Sequence, residues 1–406
     1  MSINRTPLAA ATVAAAAVML VSACGSSSGT PTPSTTTPTP TSSGSSSGTP
    51  DVSAAGFSSS FASMSDLAPL VAAGRGKVGV LLPDTTSSAR YVEFDAPLLT
   101  KAFAMAGLPS SDLSVENAHG DDATQVSQAQ ADITNGAAVL ILDPLTSGVG
   151  AEIENYAHQH GVAVIDYDRL TLGGSRSYYV SFNNVKVGQL IGTGFASCAP
   201  AWGVADPEII EMVGDPTDNN ATLFAQGYNS VIASHPTWQV VAKPAGTWDP
   251  PTALSEFTQA LTAHQNANSA IIPNDENAAP IIAYLQKHGV KPKTFPITGQ
   301  DATSVGLQNI LLGYQCGTVY KPIDIEAQAA AAVALYVRAG MTPPADLVNG
   351  STPDTQTDQN VPSVLLTPEW VTTTNMKSTV IKDGAVTAAQ ICTGAVQAAC
   401  SAAGIG

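Results

Sequence analysis

From residue 77 onward the chain alternates between two kinds of segment. A short run of β-branched or aliphatic residues is followed by an amphipathic stretch, and the unit recurs. Runs at 78–82, 113–118, 138–142 and 162–165 form a first series, separated by helical patterns over 92–106, 123–134 and 149–160. A second series follows at 209–213, 239–242, 270–272, 296–298 and 318–320, with helical patterns such as 278–288 and 325–338. Strands alternating with helices build parallel sheets covered on both faces. Two such series predict an α/β chain of two doubly wound, Rossmann-like lobes, and 406 residues leave room for both.

What precedes residue 77 is of another kind. Arg5 is followed by an uncharged stretch over 6–23, rich in Ala, Val and Leu, which reads as a signal peptide. It ends in Val21-Ser22-Ala23-Cys24, which resembles a bacterial lipobox, so Cys24 is the expected lipidation site. Residues 25–50 are all Gly, Ser, Thr or Pro and have nothing to bury. They read as a disordered tether, and we extend it through a transitional stretch to 76, where Phe57, Phe61, Met64 and Leu67 could dock as a short helix. No other uncharged apolar run approaches the length of a membrane span. The expected location is extracytoplasmic, held to the cell membrane by the lipid alone.

A formal net charge of −16 repels nucleic acid and anionic lipid, which excludes those partners. Beyond Cys24 the cysteines are Cys198, Cys316, Cys392 and Cys400. Outside the cytoplasm an even number suggests disulfides, and four allow three connectivities among which sequence does not choose. Cys392 and Cys400 are close in sequence, which favours their pairing and would leave Cys198 to Cys316. No CxxC pair exists and the six His are scattered, so no metal site is expected, and no cofactor.

In open α/β sheets ligands bind outside the carboxyl ends of the strands. Polar residues cluster there after five of the expected strands. They are Asp168-Arg169, Asp218-Asn219-Asn220, Asn274-Asp275, Asp301 and Lys321. Any one of them could be a helix cap, Asp218 and Asn274 above all, but the recurrence points to a site. A monosaccharide needs charged or amide groups that meet paired hydroxyls, and flat aromatic faces for its C–H surface. Tyr91 and Trp248, set in polar surroundings, supply the second. Catalysis has little support, since no GxSxG elbow, P-loop or HExxH occurs. Gly192-Thr193-Gly194, inside a helical pattern, reads as close helix packing. We expect a protein that is not an enzyme and has no catalytic residues.

At these positions the chain resembles the type I periplasmic sugar-binding proteins, in particular their D-xylose-binding branch. The shared runs include Tyr167-Asp168-Arg169, the stretch 179–188 (Tyr-Val-Ser-Phe-Asn-Asn-Val-Lys-Val-Gly) and Asp218-Asn219-Asn220-Ala221-Thr222-Leu223-Phe224. Asn274-Asp275, Thr298-Gly299-Gln300-Asp301-Ala302 and Thr318-Val319-Tyr320-Lys321-Pro322 continue the match, which spans about residues 77–383. The family pattern after the first strand has Arg followed by Trp, and here it is Arg90-Tyr91. The family's Asp-Asp ahead of that Arg is Pro83-Asp84.

The resemblance implies two lobes joined by three crossovers, near 172–177, 322–324 and 364–367. The chain then divides into a signal peptide (1–23), Cys24 and tether (24–76), a first lobe (77–172 with 323–364), a second lobe (173–322 with 365–392) and a tail (393–406). It implies a monosaccharide, D-xylose for preference, held between the lobes by Arg90, Tyr91, Asp168 and Arg169 from the first and Asp218, Asn220, Trp248, Asn274 and Asp301 from the second. Lys321 would act from a crossover. Arg90, Arg169 and Lys321 would donate to sugar oxygens, the Asp residues would accept from hydroxyls, and Tyr91 and Trp248 would sandwich the ring. The implied partners are an ABC importer's permease and its ATPase, with the chain a monomer. Two other readings remain open: a sensor that presents its sugar to a chemoreceptor or kinase, and a glycoside hydrolase using the same Asp, Arg and Trp. A sugar-responsive repressor of this fold would need a helix-turn-helix where the tether stands.

Overall fold

The structure, a computed structural model, describes residues 50–405. Cys24 and the tether as far as residue 49 lie outside the described residues. The strands, in chain order, are β1 (Lys77–Leu82), β2 (Leu113–Asn117), β3 (Ala137–Leu142), β4 (Ala163–Tyr167), β5 (Tyr178–Phe182), β6 (Glu208–Glu211), β7 (Gln239–Ala242), β8 (Ser269–Ile271), β9 (Thr318–Tyr320), β10 (Gly350–Asp354), β11 (Gln359–Leu366) and β12 (Glu369–Val371). No described helix is long and apolar enough to cross a membrane.

The first lobe is built on a seven-stranded sheet of order β10-β11-β5-β4-β3-β1-β2. It is parallel except for β10, which runs antiparallel to β11 at the edge. Successive side chains of a strand point to opposite faces, and the core divides accordingly. Val78, Val80, Val139 and Ile141 join one cluster with Leu99 and Phe103 of the helix Ala96–Ala106. Leu81, Leu140 and Leu142 join another with Ile133 and Ile153 of the helices Asp122–Thr134 and Ser147–Gln159. The helix Ile323–Arg338 lies in the first cluster. Its central alanines, Ala329 to Ala332, are fully buried, because methyl side chains let neighbours close in on every side.

The second lobe has a parallel sheet of order β7-β6-β8. Single bridges, Ala270 to Ile297 and Gln300 to Val319, continue it toward the antiparallel pair β9–β12. The expected strand at 296–298 is thus one bridge rather than a ladder. The helices Asn184–Ala201 and Asn219–Ile232 cross at Gly188 and Gly227. There a Cβ on Gly188 would stand 2.0 Å from the carbonyl oxygen of Phe224, and one on Gly227 would stand 2.3 Å from that of Val185.

Several expected boundaries need correction. The first crossover does not fall at 172–177, because β5 is inserted between β4 and β11 with Tyr179, Val180 and Phe182 buried. The chain leaves the first lobe only after Phe182, returns at Lys321-Pro322, and leaves again after Leu366. Residues 50–76 are not tether. Phe61, Met64, Leu67 and Leu70 are buried in the first lobe's core. Gln328 Nε2 donates to the Ser58 carbonyl at 2.9 Å, and the Lys101 ammonium sits 4.0 Å from the centre of the Phe61 ring. The large apolar side chains of that stretch find seats in the first lobe's core, which offsets their ordering entropy. Nor is 393–405 a free tail. Val396, Cys400 and Ile405 pack with Leu307, Ile310 and Met376 in a small core of the second lobe. Disulfides join Cys198 to Cys316 and Cys392 to Cys400, with Cα–Cα separations of 5.7 and 5.8 Å.

Candidate functional site

The carboxyl ends of β1, β3 and β4 face the second lobe. After β1 the chain turns on Asp84, whose carboxylate accepts from the backbone N–H of Thr86 and Ser87 at 2.8 and 2.7 Å. The turn delivers Ser87, Ser88 and Arg90. Arg90 is buried and gripped by carboxylates: Asp95 on Nε and Nη2, both at 2.9 Å, Glu326 on Nη2 at 2.6 Å, and Asp168 on Nη1 at 2.8 Å. Tyr167 also donates its hydroxyl to Asp95. At the end of β4, Asp168 takes a left-handed backbone (φ 57°). Three donors fix its carbonyl oxygen there: Tyr179 Oη at 2.7 Å, Ser181 Oγ at 2.9 Å and Asn220 Nδ2 at 3.0 Å. Arg169 donates to Tyr91 Oη at 2.9 Å, and its Nε lies 3.4 Å from Asp218 of the second lobe.

The second lobe answers with groups at the ends of β6 and β8 and after Thr298. Asp218 caps the helix Asn219–Ile232, accepting from Asn220 N at 2.9 Å, and accepts from Trp248 Nε1 at 3.0 Å. The indole lies against Gly214, where a Cβ would stand 2.1 Å from its Cζ2. Asn274 caps the helix Asp275–Lys287. Both residues that sequence left open to capping therefore do cap, and both also face the cleft. Asp301 does not cap: Thr303 serves the helix Ser304–Leu311. Asp301 is left-handed (φ 85°), and its carboxylate is 3.1 Å from the Lys321 ammonium at the second crossover.

These groups surround a small cavity between the lobes. The lobes meet on both flanks of it, Arg169 with Asp218 on one side and Ser88-Ala89 with Glu276 on the other. Arg90, Tyr91, Asp168, Arg169, Asp218, Trp248, Asn274, Asp301 and Lys321 all line it. Asn220 does not, a correction to its expected place. Its amide is spent on the Asp168 carbonyl and on Asn184, whose Nδ2 donates to it at 2.7 Å. Arg90 needs a correction of degree. Of the five N–H groups a guanidinium carries, its carboxylate partners take four, so one remains for a ligand. Sequence reasoning passed over Ser87, Ser88 and Gln300. Gln300 could have been found from its place beside Asp301, and its Oε1 is buried without a partner. Asp143, after β3, was also missed. It lies 3.8 Å behind Arg169 with both oxygens unpartnered, and burial, with Asp168 nearby, pushes its carboxyl far up.

The lining balances three carboxylates (Asp168, Asp218, Asp301) against three cations (Arg90, Arg169, Lys321). Burial alone would raise the Asp168 carboxyl, but Arg90, Lys321 and Arg169 together hold it below the usual range, an ionised acceptor. Burial raises the Asp218 carboxyl against the pull of Arg169. Burial would lower the Lys321 ammonium, but Asp301 and Asp168 keep it raised, a charged donor. Such a lining sets charged acceptors beside charged donors, which suits a polyhydroxyl ligand.

A family profile described as periplasmic binding protein domain matches residues 78–341. The chain is 36% identical over 278 residues to the D-xylose-binding periplasmic protein of Escherichia coli, covering 66% of this chain and 80% of that one. This chain belongs to the type I periplasmic sugar-binding proteins. This sugar-binding protein is also 31% identical over 352 residues to a multiple sugar-binding periplasmic receptor of Rhizobium radiobacter, covering 80% of its own length and 95% of the relative's. Among solved structures it is similar to an ABC transporter solute-binding protein from Clostridium phytofermentans with bound β-D-glucose. The TM-score is 0.69 at 25% identity, over 77% of this chain and 99% of that one. Sugar-binding proteins of this family serve ABC-type sugar transport outside the cytoplasm.

Proposed function

We propose that this binding protein captures a monosaccharide, a pentose of the D-xylose type for preference, and delivers it unchanged to an ABC permease while anchored through a lipid on Cys24. The observation that carries the reading is the cavity between the lobes in which three carboxylates and three cations from both lobes converge beside Tyr91 and Trp248. Asp168 and Lys321, held in their charged forms, give hydrogen bonds of the stronger, charge-assisted kind. The relatives named for xylose support a pentose, while the multiple-sugar receptor leaves room for a hexose.

The test is calorimetric titration of the chain from Cys24 onward against D-xylose, L-arabinose, D-ribose, D-glucose and D-galactose, with chromatography of the sugar afterwards. We expect one-to-one binding with D-xylose among the tightest, and the sugar recovered intact. Catalytic conversion of any of them would instead support a carbohydrate-active enzyme. The anchor is tested separately. Cys24→Ser should release the protein to the medium or leave an unprocessed precursor, and a processed variant retained on the membrane would overturn it.

A further inference from the structure

Glu276 lies outside the set of residues that touch the cavity, yet it joins two of the cavity's walls. It stands in the first turn of the helix capped by Asn274, which lines the cavity. Its Oε1 reaches across the cleft to the turn after β1, where it accepts from the Ala89 N–H at 3.1 Å and from Ser88 Oγ at 3.3 Å. Ser88 is itself a cavity wall. Outside this contact lies the wider opening between the lobes, lined by Ser88, Ala89, Glu93, Glu276 and Asp301 among others. The contact therefore lies between the cavity and the wider opening.

We propose that Glu276 is a positioning residue for sugar capture, a latch that docks on the Ser88-Ala89 turn when the lobes shut and ties closure to pH. The proposal rests on the sugar-binding reading above. Part of the Glu276 stem stays exposed, but Oε2 is sealed from solvent and has no partner. The charged groups that share this opening are Arg90 and Glu93 of the first lobe and Asp275 and Asp301 of the second. Burial, then Asp301 and Asp275, push the Glu276 carboxyl up to about 8, outweighing the Ala89 N–H that favours its charge. Oε1 already accepts twice, so a proton goes to Oε2, where it removes a buried charge without breaking either cross-lobe bond.

With the lobes apart Glu276 faces water and regains an ordinary carboxyl, near 4.3 in order of magnitude. Closing then takes up a proton at any pH between those values. The linkage has one sign. The closed state is favoured most below the open-state value and loses ground as pH rises toward 8, beyond which the effect levels off. A ligand that selects the closed state inherits the same dependence.

The experiment compares wild type, Glu276→Gln and Glu276→Ala, titrated with the tightest-binding sugar at pH 6 and pH 9, with proton uptake read from two buffers of different ionisation heat. We expect wild type to lose severalfold to tenfold or more in affinity from pH 6 to 9 and to take up more protons on binding at pH 7 than Glu276→Gln. Glu276→Gln, which keeps the shape, should show the shallower pH profile. Glu276→Ala should bind more weakly at pH 6. Equal pH profiles and proton uptake in wild type and Glu276→Gln would overturn the proposal, as would undiminished affinity in Glu276→Ala. Wild type at pH 6 separates this failure from that of the sugar reading. If no tested sugar binds wild type, the sugar reading fails and takes the latch with it; if wild type binds and its sugar-bound form protects the Ala89 N–H from hydrogen exchange no better than Glu276→Ala does, the latch alone is overturned.

Discussion

Two carboxylates that face each other across the cleft, Asp168 and Asp301, both sit in left-handed backbone. For a residue with a Cβ this costs on the order of 1–3 kcal/mol and persists only where the surroundings impose it. Asp168 is imposed by three donors on its carbonyl, Asp301 by its N–H on the Val319 carbonyl at 2.8 Å. The two residues nevertheless separate from Arg90 in what their loss should do. Asp301 is partnered by one cleft cation, so Asp301→Asn should leave the melting temperature nearly unchanged and weaken sugar binding about tenfold to a hundredfold, the worth of ~1.5–3 kcal/mol for a charged hydrogen bond. Arg90→Ala removes the counter-charge of Asp95 and Asp168 and the donor to Glu326 at once, and breaking such buried pairs costs about 3–5 kcal/mol. Urea unfolding of the two variants beside their sugar affinities checks the contrast. Loss of affinity in Arg90→Ala with full stability would show that it serves only the ligand. Most of the charged residues were legible in sequence because a charge just after a buried strand has few places to go, Asp143 being the exception. Amides were less so, since an Asn or Gln can turn either to a ligand or to backbone: Asn274 reached the cavity as expected. Asn220 turned to backbone and Gln300 to the cavity.

Among the elements, the parallel strands with aliphatic centres were readable, and the ones that were missed share a cause. β5 carries Tyr178 and Tyr179 behind the Gly173-Gly174-Ser175 stretch, so it looks like the end of a connector. Its burial comes from two neighbours, β4 and β11, one of which lies far along the chain. β10 and β11 contain Pro353 and Pro362, and proline within a run argues against a strand except at an edge or a bulge. β10 is such an edge. The crossing at Gly188 and Gly227 was equally hidden, because glycine in a helical pattern signals close packing without naming the partner, and Gly192-Thr193-Gly194 drew the attention instead. Gly192 does pack closely, against Val231 and Tyr228, but the backbones come nearest one turn earlier. Gly227→Val forces the two helices apart or off their rotamers, so it should destabilise by about 1–3 kcal/mol. The expected signature is a lower melting temperature with the affinity per folded molecule largely kept. An unchanged melting temperature would mean that the second lobe gives way cheaply there.

The whole molecule concentrates acid where its lobes and crossovers meet. Glu326, behind Arg90, is pushed by burial up to about 8, and Asp275, buried among Gln315, Thr303 and Thr318, up to about 7. Both lie above their unfolded values, so they stabilise the fold at low pH and lose that contribution as pH rises through 7 and 8. Asp168 works the other way, but its loss begins only as pH falls into the ordinary carboxylate range. The melting temperature should therefore fall from pH 5.5 to pH 9 at constant ionic strength, and a rise across that window would contradict the burial of these groups. Sequence gave access to the two-lobe plan because periodicity repeats along the chain. It did not say where residues 50–76 belong, since the helical spacing of Phe57, Phe61, Met64 and Leu67 names no partner surface, and they acquire a place only from helices 30 to 270 residues away. That docked stretch decides where the protein can be cut. A recombinant fragment begun at Lys77 would lack six side chains of its own core, Val52, Phe57, Phe61, Met64, Leu67 and Leu70, and bare the apolar seats they fill beside Leu99 and Phe103. Such a fragment would be recovered as aggregate, whereas one begun at Pro50 keeps its interior intact.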